Sequence, residues 1–191
     1  MANKIKYGIK NVYYAVATIA TDGSATYGTP VALPGAVSLS MEAQGDSNIF
    51  YADNIAYFVS QSNNGYQGDL EVAYIPDAFR TAILGEYESN NGKVLLEEAD
   101  VNPTHFALLF QFEGDANATR YCMYNCTASR PSAASNTKSE SIDPQTETVT
   151  ITATSIFNSS LNKDIVRAKT GDSTTTAVYN GWFSTVYVAT T

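Results

Sequence analysis

Between Asn54 and Pro76 the chain reads NIAYFVSQSNNGYQGDLEVAYIP, a stretch that is apolar on both of its alternating sides. In an extended chain successive side chains point to opposite faces. Ile55, Tyr57 and Val59 then share one face of a first strand, and Leu70, Val72 and Tyr74 one face of a second. The intervening residues are not clearly polar: Ala56 and Phe58 on the first strand, Glu71, Ala73 and Ile75 on the second. The polar centre, Ser60–Asp69, carries two glycines and reads as the turn of a hairpin. A hairpin with two apolar faces either lies inside a core or presents its second face to another molecule. This choice constrains the fold more than any other feature of the chain.

The rest of the sequence is also written mainly in strands. Val12–Ile19 alternates, and TPVALPGAVSLSME follows a turn-rich segment with two prolines that suit an edge or a bend. Residues 43–54, AQGDSNIFYADN, read as a long acidic loop. The adjacent Ile49, Phe50 and Tyr51 argue against its being disordered. PDAFRTAILGEY is the one clear helix, with Asp77 placed to cap its first turn and Gly85 to end it. Phe79, Ala82 and Ile83 would share the face it packs against a sheet. THFALLFQFEGDANATRYCMYNCTASR predicts a second hairpin, with Phe106, Leu108, Phe110 and Phe112 on one face. PSAASNTKSESID reads as a loop, QTETVTITATSIF as an alternating strand, and AVYNGWFSTVYVATT as a turn and a last strand. About eight to ten strands and one short helix make a β-sandwich, or barrel-like sheet pair, with a flanking helix. At 191 residues this is one domain, 1–191, with a long loop around 41–54 and a variable polar segment around 155–177.

Charge and chemistry narrow the function by exclusion. The net charge is −8, which opposes nonspecific binding of nucleic acid. Eleven acids but only two bases, Arg80 and Lys93, fall between Met41 and Asp100, whereas Lys4, Lys6 and Lys10 cluster at the start. No run is long and apolar enough to span a bilayer, and the basic opening lacks the apolar segment of a secretory signal. Cys122 and Cys126 lie four apart on one expected strand, roughly 13 Å from each other, beyond disulfide reach. They are expected to fill space on one face with Tyr124, in a reducing compartment. The single histidine, His105, begins a strand and has a structural reading before a catalytic one. No metal cluster, phosphate loop or selected carboxylate pair emerges, so neither catalysis, a metal nor a cofactor is expected. Thirteen tyrosines suit surfaces wet in one state and buried in another. A carbohydrate or cell-surface binding sandwich would use them as well.

Several strings then act together. KYGIKNVYYA, GTPVALPGAVSLSMEAQGDSNIFYADNIAYF and NNGYQGDLEVAYIPDAFRTAILGE, followed by HFALLFQFEGD, TRYCMYNCTASRPS, TETVTITAT and YNGWFSTVY, resemble the major tail protein, or tail tube protein, of long flexible-tailed bacteriophages. The ordered series covers nearly the whole chain and departs from the family pattern mainly in Ser155–Ala177. The resemblance implies a structural virion protein whose six-fold rings stack on a tape-measure protein, assembled in the host bacterial cytoplasm. Tail terminator and baseplate proteins would be further partners, with DNA as passing cargo and no membrane involved. It also implies a barrel of strands lining the lumen and a long loop reaching neighbouring subunits. On this reading Ile49, Phe50, Tyr51, Asp53, Tyr57 and Tyr66 are the candidate subunit interface. Asp69, Glu71, Glu113 and Glu147 are the candidates to line a negative lumen. The 45–54 loop has the alternative of folding back on its own core. The tube of a phage-derived bacteriocin particle would share the same geometry without the DNA.

Overall fold

A computed structural model describes residues 4–115, 118–137 and 144–190 of the chain. It begins with the long β1 (Lys4–Ile19), followed by the short β2 (Ala25–Tyr27) and β3 (Val31–Ala32). β4 (Ala36–Gln44) and β5 (Ser47–Ala52) run out to a tight turn, and β6 (Ile55–Gln61) and β7 (Gly65–Val72) run back. α1 (Asp77–Phe79) passes directly into a π-helical turn, Arg80–Leu84, which ends at Gly85 in the left-handed conformation. β8 (Tyr87–Glu88) and β9 (Leu95–Leu96) form a small hairpin. β10 (Phe106–Asp115), β11 (Arg120–Ala128) and β12 (Glu147–Thr154) are longer. β13 (Ile156–Asn158), β14 (Lys163–Ile165) and β15 (Arg167–Lys169) precede α2 (Thr176–Gly181). The expected mainly β sandwich with a short flanking helix is the observed class. The strand number exceeds the expectation because several pieces are only two or three residues long.

The main sheet is antiparallel, in the order β2-β1-β10-β11-β12-β7-β4, with β3 on β1 and β15 on β11. It folds over on itself, and β11 is the strand at the fold. Its residues Tyr121–Met123 pair with β15, and Asn125–Ala128 pair with β12. Apolar side chains from both halves therefore meet in one core. Val12 and Tyr14 from β1 and Phe106, Leu108 and Phe110 from β10 pack with Val149, Ile151, Leu70 and Val72 from the other half. Phe79 of α1 plugs this core, with its ring edge-on to Tyr14 at 5.0 Å and to Phe106 at 5.8 Å. Phe79 and Ile83 are buried and Ala82 half-buried, as their helical spacing predicts. Asp77 does not cap the helix, however. Pro76 occupies the cap position without a side-chain bond, and Asp77 accepts instead from the Tyr74 hydroxyl at 3.1 Å.

Several local expectations change with the tertiary context. The stretch from Asn54 to Pro76 is two strands but not a hairpin. β6 pairs with β5, whereas β7 lies between β4 and β12. Residues 41–54, expected as a loop, are mostly strand. The polar segment at 155–177 holds β13–β15, and its Ile156 is buried. The C-terminal stretch expected as a turn and strand forms α2 and then an irregular segment. Cys122 and Cys126 do not share a face. Opposite Phe106 and Leu108, β11 carries an extra residue between Cys126 and Met123, which inverts its alternation there. Cys122 and Tyr124 consequently face the second core and Cys126 the first, and both thiols are free and buried. The β10–β11 hairpin is as expected, with its turn partly outside the described residues, as is the end of the serine-rich loop at 131–143.

Candidate functional site

β4 with β5, and β6 with β7, form a single ribbon. Its ladder continues across the junction through Asn64 N–H to the Gln44 carbonyl (2.9 Å) and Ser62 N–H to the Asp46 carbonyl (3.0 Å). At this crossing a Cβ on Gly45 would overlap the Ser62 carbonyl, and further along, where β7 pairs with β4, one on Gly68 would overlap that of Ser40. These glycines permit close strand approach. The reversal itself is made by Asp53 (φ 51°) and Asn54 (φ 62°), the two-residue turn favoured by twisted hairpins.

The proximal half of the ribbon belongs to the sheet, and the distal half does not. Every residue of β6 is exposed, and β5 is exposed from Ser47 to Tyr51. Phe50 pairs with Phe58 and Ile49 with Val59, so the two faces of this arm are both apolar. Exposure is 61% for Phe50 and 71% for Tyr57. Asp53 is the one charged residue between Ser47 and Gln61. The arm thus holds Ile49, Phe50, Tyr51, Asp53 and Tyr57 away from the chain's own core, rather than folding them back onto it. Tyr66 stands apart from them. It is half-buried against the main core, with the Arg167 guanidinium 4.9 Å from its ring. Ile55, Phe58 and Val59 belong to the same surface and were absent from the sequence-derived set. The apolar residues around Asp53–Asn54 were the signal for them.

The second feature is a polar sheet face. In β7 and β12 the residues alternate strictly: Leu70, Val72, Val149, Ile151 and Ala153 enter the core, and their neighbours point outward. The register places Glu71 opposite Ser38 and Thr148, Asp69 opposite Ser40 and Thr150, and Gln67 opposite Glu42 and Thr152. Thr127 continues the face onto β11 opposite Thr152. These strands put three carboxylates, Glu42, Asp69 and Glu71, on the face and no lysine or arginine. The Thr150 hydroxyl donates to Asp69 at 2.7 Å. The hydroxyls of Thr146 (2.6 Å) and Ser38 (2.8 Å) donate to Glu71. These two bonds hold the Glu71 pKa below its ordinary value. Ionised Glu71 therefore favours the folded state above the ordinary carboxylate pKa, a contribution lost as pH falls through the lowered value.

The outer face of the other half is apolar and covered. Ala15, Ala107, Leu109, Cys122 and Tyr124 lie beneath Ile156 and Trp182. Trp182 donates to the Tyr121 carbonyl at 3.3 Å, and Tyr124 to the Tyr187 carbonyl at 2.7 Å. The residues after α2 are thereby clamped over this face, which leaves the carboxylate-bearing one as the open side of the sandwich.

The four carboxylates singled out from sequence do not share a face. Asp69 and Glu71 lie on the open polar one. Glu113 is on β10 and forms an ion pair with Lys10 of β1. Glu147 sits at the root of β12, where it accepts from Ile75 N–H at 2.6 Å and from Arg80 at 2.8 Å. His105 is exposed, with Nδ1 2.7 Å from Asn125 Oδ1. Among the described residues no group of three or more His, Cys, Asp or Glu side chains is placed to hold a metal. None of the described helices is long and apolar enough to cross a membrane.

A family model described as phage tail tube protein matches residues 2–183, nearly the whole chain. No curated protein matches it.

Proposed function

The chain belongs to the phage tail tube protein family, and from that premise we propose that its copies close into six-fold rings stacked as the conduit for DNA ejection. Membership makes it a structural component of the virion tail that assembles with itself into a tube, and not an enzyme. The finer picture, rings around a tape-measure protein with terminator and baseplate proteins at the ends, extends that membership by family resemblance. So does assembly in the host bacterial cytoplasm.

The observation that carries the reading is the open polar face of β4, β7, β12 and the end of β11. A conduit wall must be wetted and must not hold the polyanion that slides along it. Hydroxyls, amides and the carboxylates of Glu42, Asp69 and Glu71 meet both needs. A lysine-rich wall would exchange counterions for phosphates and bind. At physiological salt, charge acts over about 8 Å, so the wall influences DNA that comes close without adhering. The apolar arm supplies the complementary requirement, adhesion between copies. An isolated two-stranded hairpin is marginal in water, and one apolar on both faces gains stability when neighbours cover it. Ile49, Phe50, Tyr51 and Tyr57 are accordingly assigned to contacts between subunits.

Charge reversal tests the wall. The double variant Asp69→Lys, Glu71→Lys should form tubes of ordinary length but release DNA severalfold more slowly in a bulk ejection assay. Unchanged ejection from intact tails would remove these residues from the lumen.

A further inference from the structure

The chain contains three Asn–Gly steps: Asn64–Gly65, Asn91–Gly92 and Asn180–Gly181. An asparagine before glycine is open to attack on its own side chain, because no Cβ on the next residue shields the following backbone nitrogen. The attack needs that nitrogen unbonded, the side-chain amide exposed, and a backbone able to turn one onto the other. The fold treats the three steps differently.

At Asn64–Gly65 the backbone is pinned. Asn64 N–H donates to the Gln44 carbonyl at 2.9 Å, and Gly65 N–H to Asn63 Oδ1 at 3.1 Å. Gly65 is buried, and a Cβ on it would overlap the Ala153 carbonyl, which leaves no room to rotate. Asn180–Gly181 closes α2. Helical N–H groups point to carbonyls one turn back, and the Gly181 carbonyl accepts from Ser184 at 2.9 Å and Thr185 at 3.2 Å. Asn91–Gly92 lies instead in the turn between β8 and β9, where Asn90, Asn91, Gly92 and Lys93 are all exposed. Gly92 (φ 90°) and Lys93 (φ 55°) are both left-handed. Among the described residues nothing accepts from the Gly92 N–H or bonds the Asn91 side-chain amide. The turn is closed around them by Ser89 N–H to the Val94 carbonyl (2.9 Å), Val94 N–H to Ser89 Oγ (3.1 Å) and the Ser89 hydroxyl to the Asn91 carbonyl (3.0 Å).

We propose that Asn91 is a site of spontaneous deamidation and that its product opens the β8–β9 hairpin. The Gly92 nitrogen loses its proton and attacks Asn91 Cγ. The new N–Cγ bond forms as Cγ–Nδ2 breaks, and the side-chain nitrogen leaves as ammonia. Water then opens the cyclic imide. Hydrolysis at Cγ gives aspartate. Hydrolysis at the main-chain carbonyl gives isoaspartate, whose backbone runs through Cβ and Cγ. The sequence of steps is redox-neutral and consumes only water. Isoaspartate lengthens the main chain between Ser89 and Val94. It also turns the carbonyl that the Ser89 hydroxyl bonds into a free carboxylate off the main chain. Either product adds a negative charge to the turn that holds the exposed Lys93–Glu88 ion pair, 2.7 Å long.

Peptide mapping by mass spectrometry tests the site, on the full folded chain held at mildly alkaline pH and physiological temperature. The peptide holding Asn91 should convert to aspartate and isoaspartate at least tenfold faster than those holding Asn64 or Asn180. In urea the three should react at comparable rates, since each has the same glycine after it. Asn91→Gln should remove the reaction here, because closure through one more methylene is far slower. Hydrogen exchange at the Ser89 and Val94 amides should rise severalfold in the isoaspartyl product. Equal or slower conversion at Asn91 in the folded chain, a tenfold ranking that survives in urea, or persistence of the acid product in Asn91→Gln would overturn the site. Unchanged exchange at Ser89 and Val94 after conversion would overturn the opening of the hairpin.

Discussion

Arg80 is held between two carboxylates: Glu86 at 3.2 Å and Glu147 at 2.8 Å. Burial disfavours its charge, but the two acids outweigh that cost and raise its pKa. Glu147 does more than pair with it. Its second oxygen accepts from the backbone of Ile75, so one side chain fastens the start of β12 to the segment entering α1. Glu147→Ala leaves a donor and a cation without that partner at a largely buried junction. The variant should lose about 1–3 kcal/mol in urea unfolding with an unchanged slope. An unshifted midpoint would show that the junction is held by packing alone. The cysteines teach a different lesson at the same scale. Four residues apart, Cys122 and Cys126 have one parity and should share a face, yet a single extra residue in β11 separates them. Burial raises both thiols, Cys126 to about 12, which keeps them protonated and unreactive in the folded chain.

At the scale of elements, alternation was enough to identify β10 and β12 and the face of each that enters the main core, but not that Ala107 and Leu109 on the other face of β10 enter a second one. It did not say which strand lies beside which. The stretch from Ile55 to Ile75 has the right residues for two strands, and its glycine-bearing centre resembles a turn. Gly68 instead permits β7 to pass close to β4, and Asp53–Asn54 makes the reversal. The reading of 43–54 as a loop followed from taking the turn in the wrong place. In the aromatic-rich C-terminal stretch, Asn180–Gly181 reads as a turn before a last strand. Those rings are drawn onto the second core, where Trp182 stacks on Tyr187 and Phe183 on Tyr13, and the backbone pairs with no sheet. The two apolar faces of Ile55–Val59 were legible, and of the two explanations offered for them, burial in the chain's own core does not hold for the exposed β6, which leaves contact with another molecule as the proposed one. Replacing Ile49, Phe50 and Tyr51 together by alanine should give a folded chain, with near-native unfolding midpoint, that stays monomeric in sedimentation. Loss of folding would mean that the arm supports the subunit's own core.

At the scale of the molecule, the sandwich has three dissimilar exteriors: a covered apolar face, an open acidic one and a projecting apolar ribbon. The sequence registers an excess of acids between Met41 and Asp100, but only the strand register shows which carboxylates reach the open face. Asp69 and Glu71 alternate out of the core, whereas Glu147 and Glu113 are taken up by Arg80 and Lys10. On the proposed reading, the ribbon adheres to other copies and the acidic face stays wetted for what passes by. An electron-microscopy reconstruction of the assembled protein, at a resolution that traces strands, tests this most directly. It should show a hollow tube whose inner wall is the β4–β7–β12 face, with Asp69 and Glu71 toward the axis and the arm buried between subunits. A tube with that face turned outward, or a protein that remains monomeric at every concentration, would contradict it.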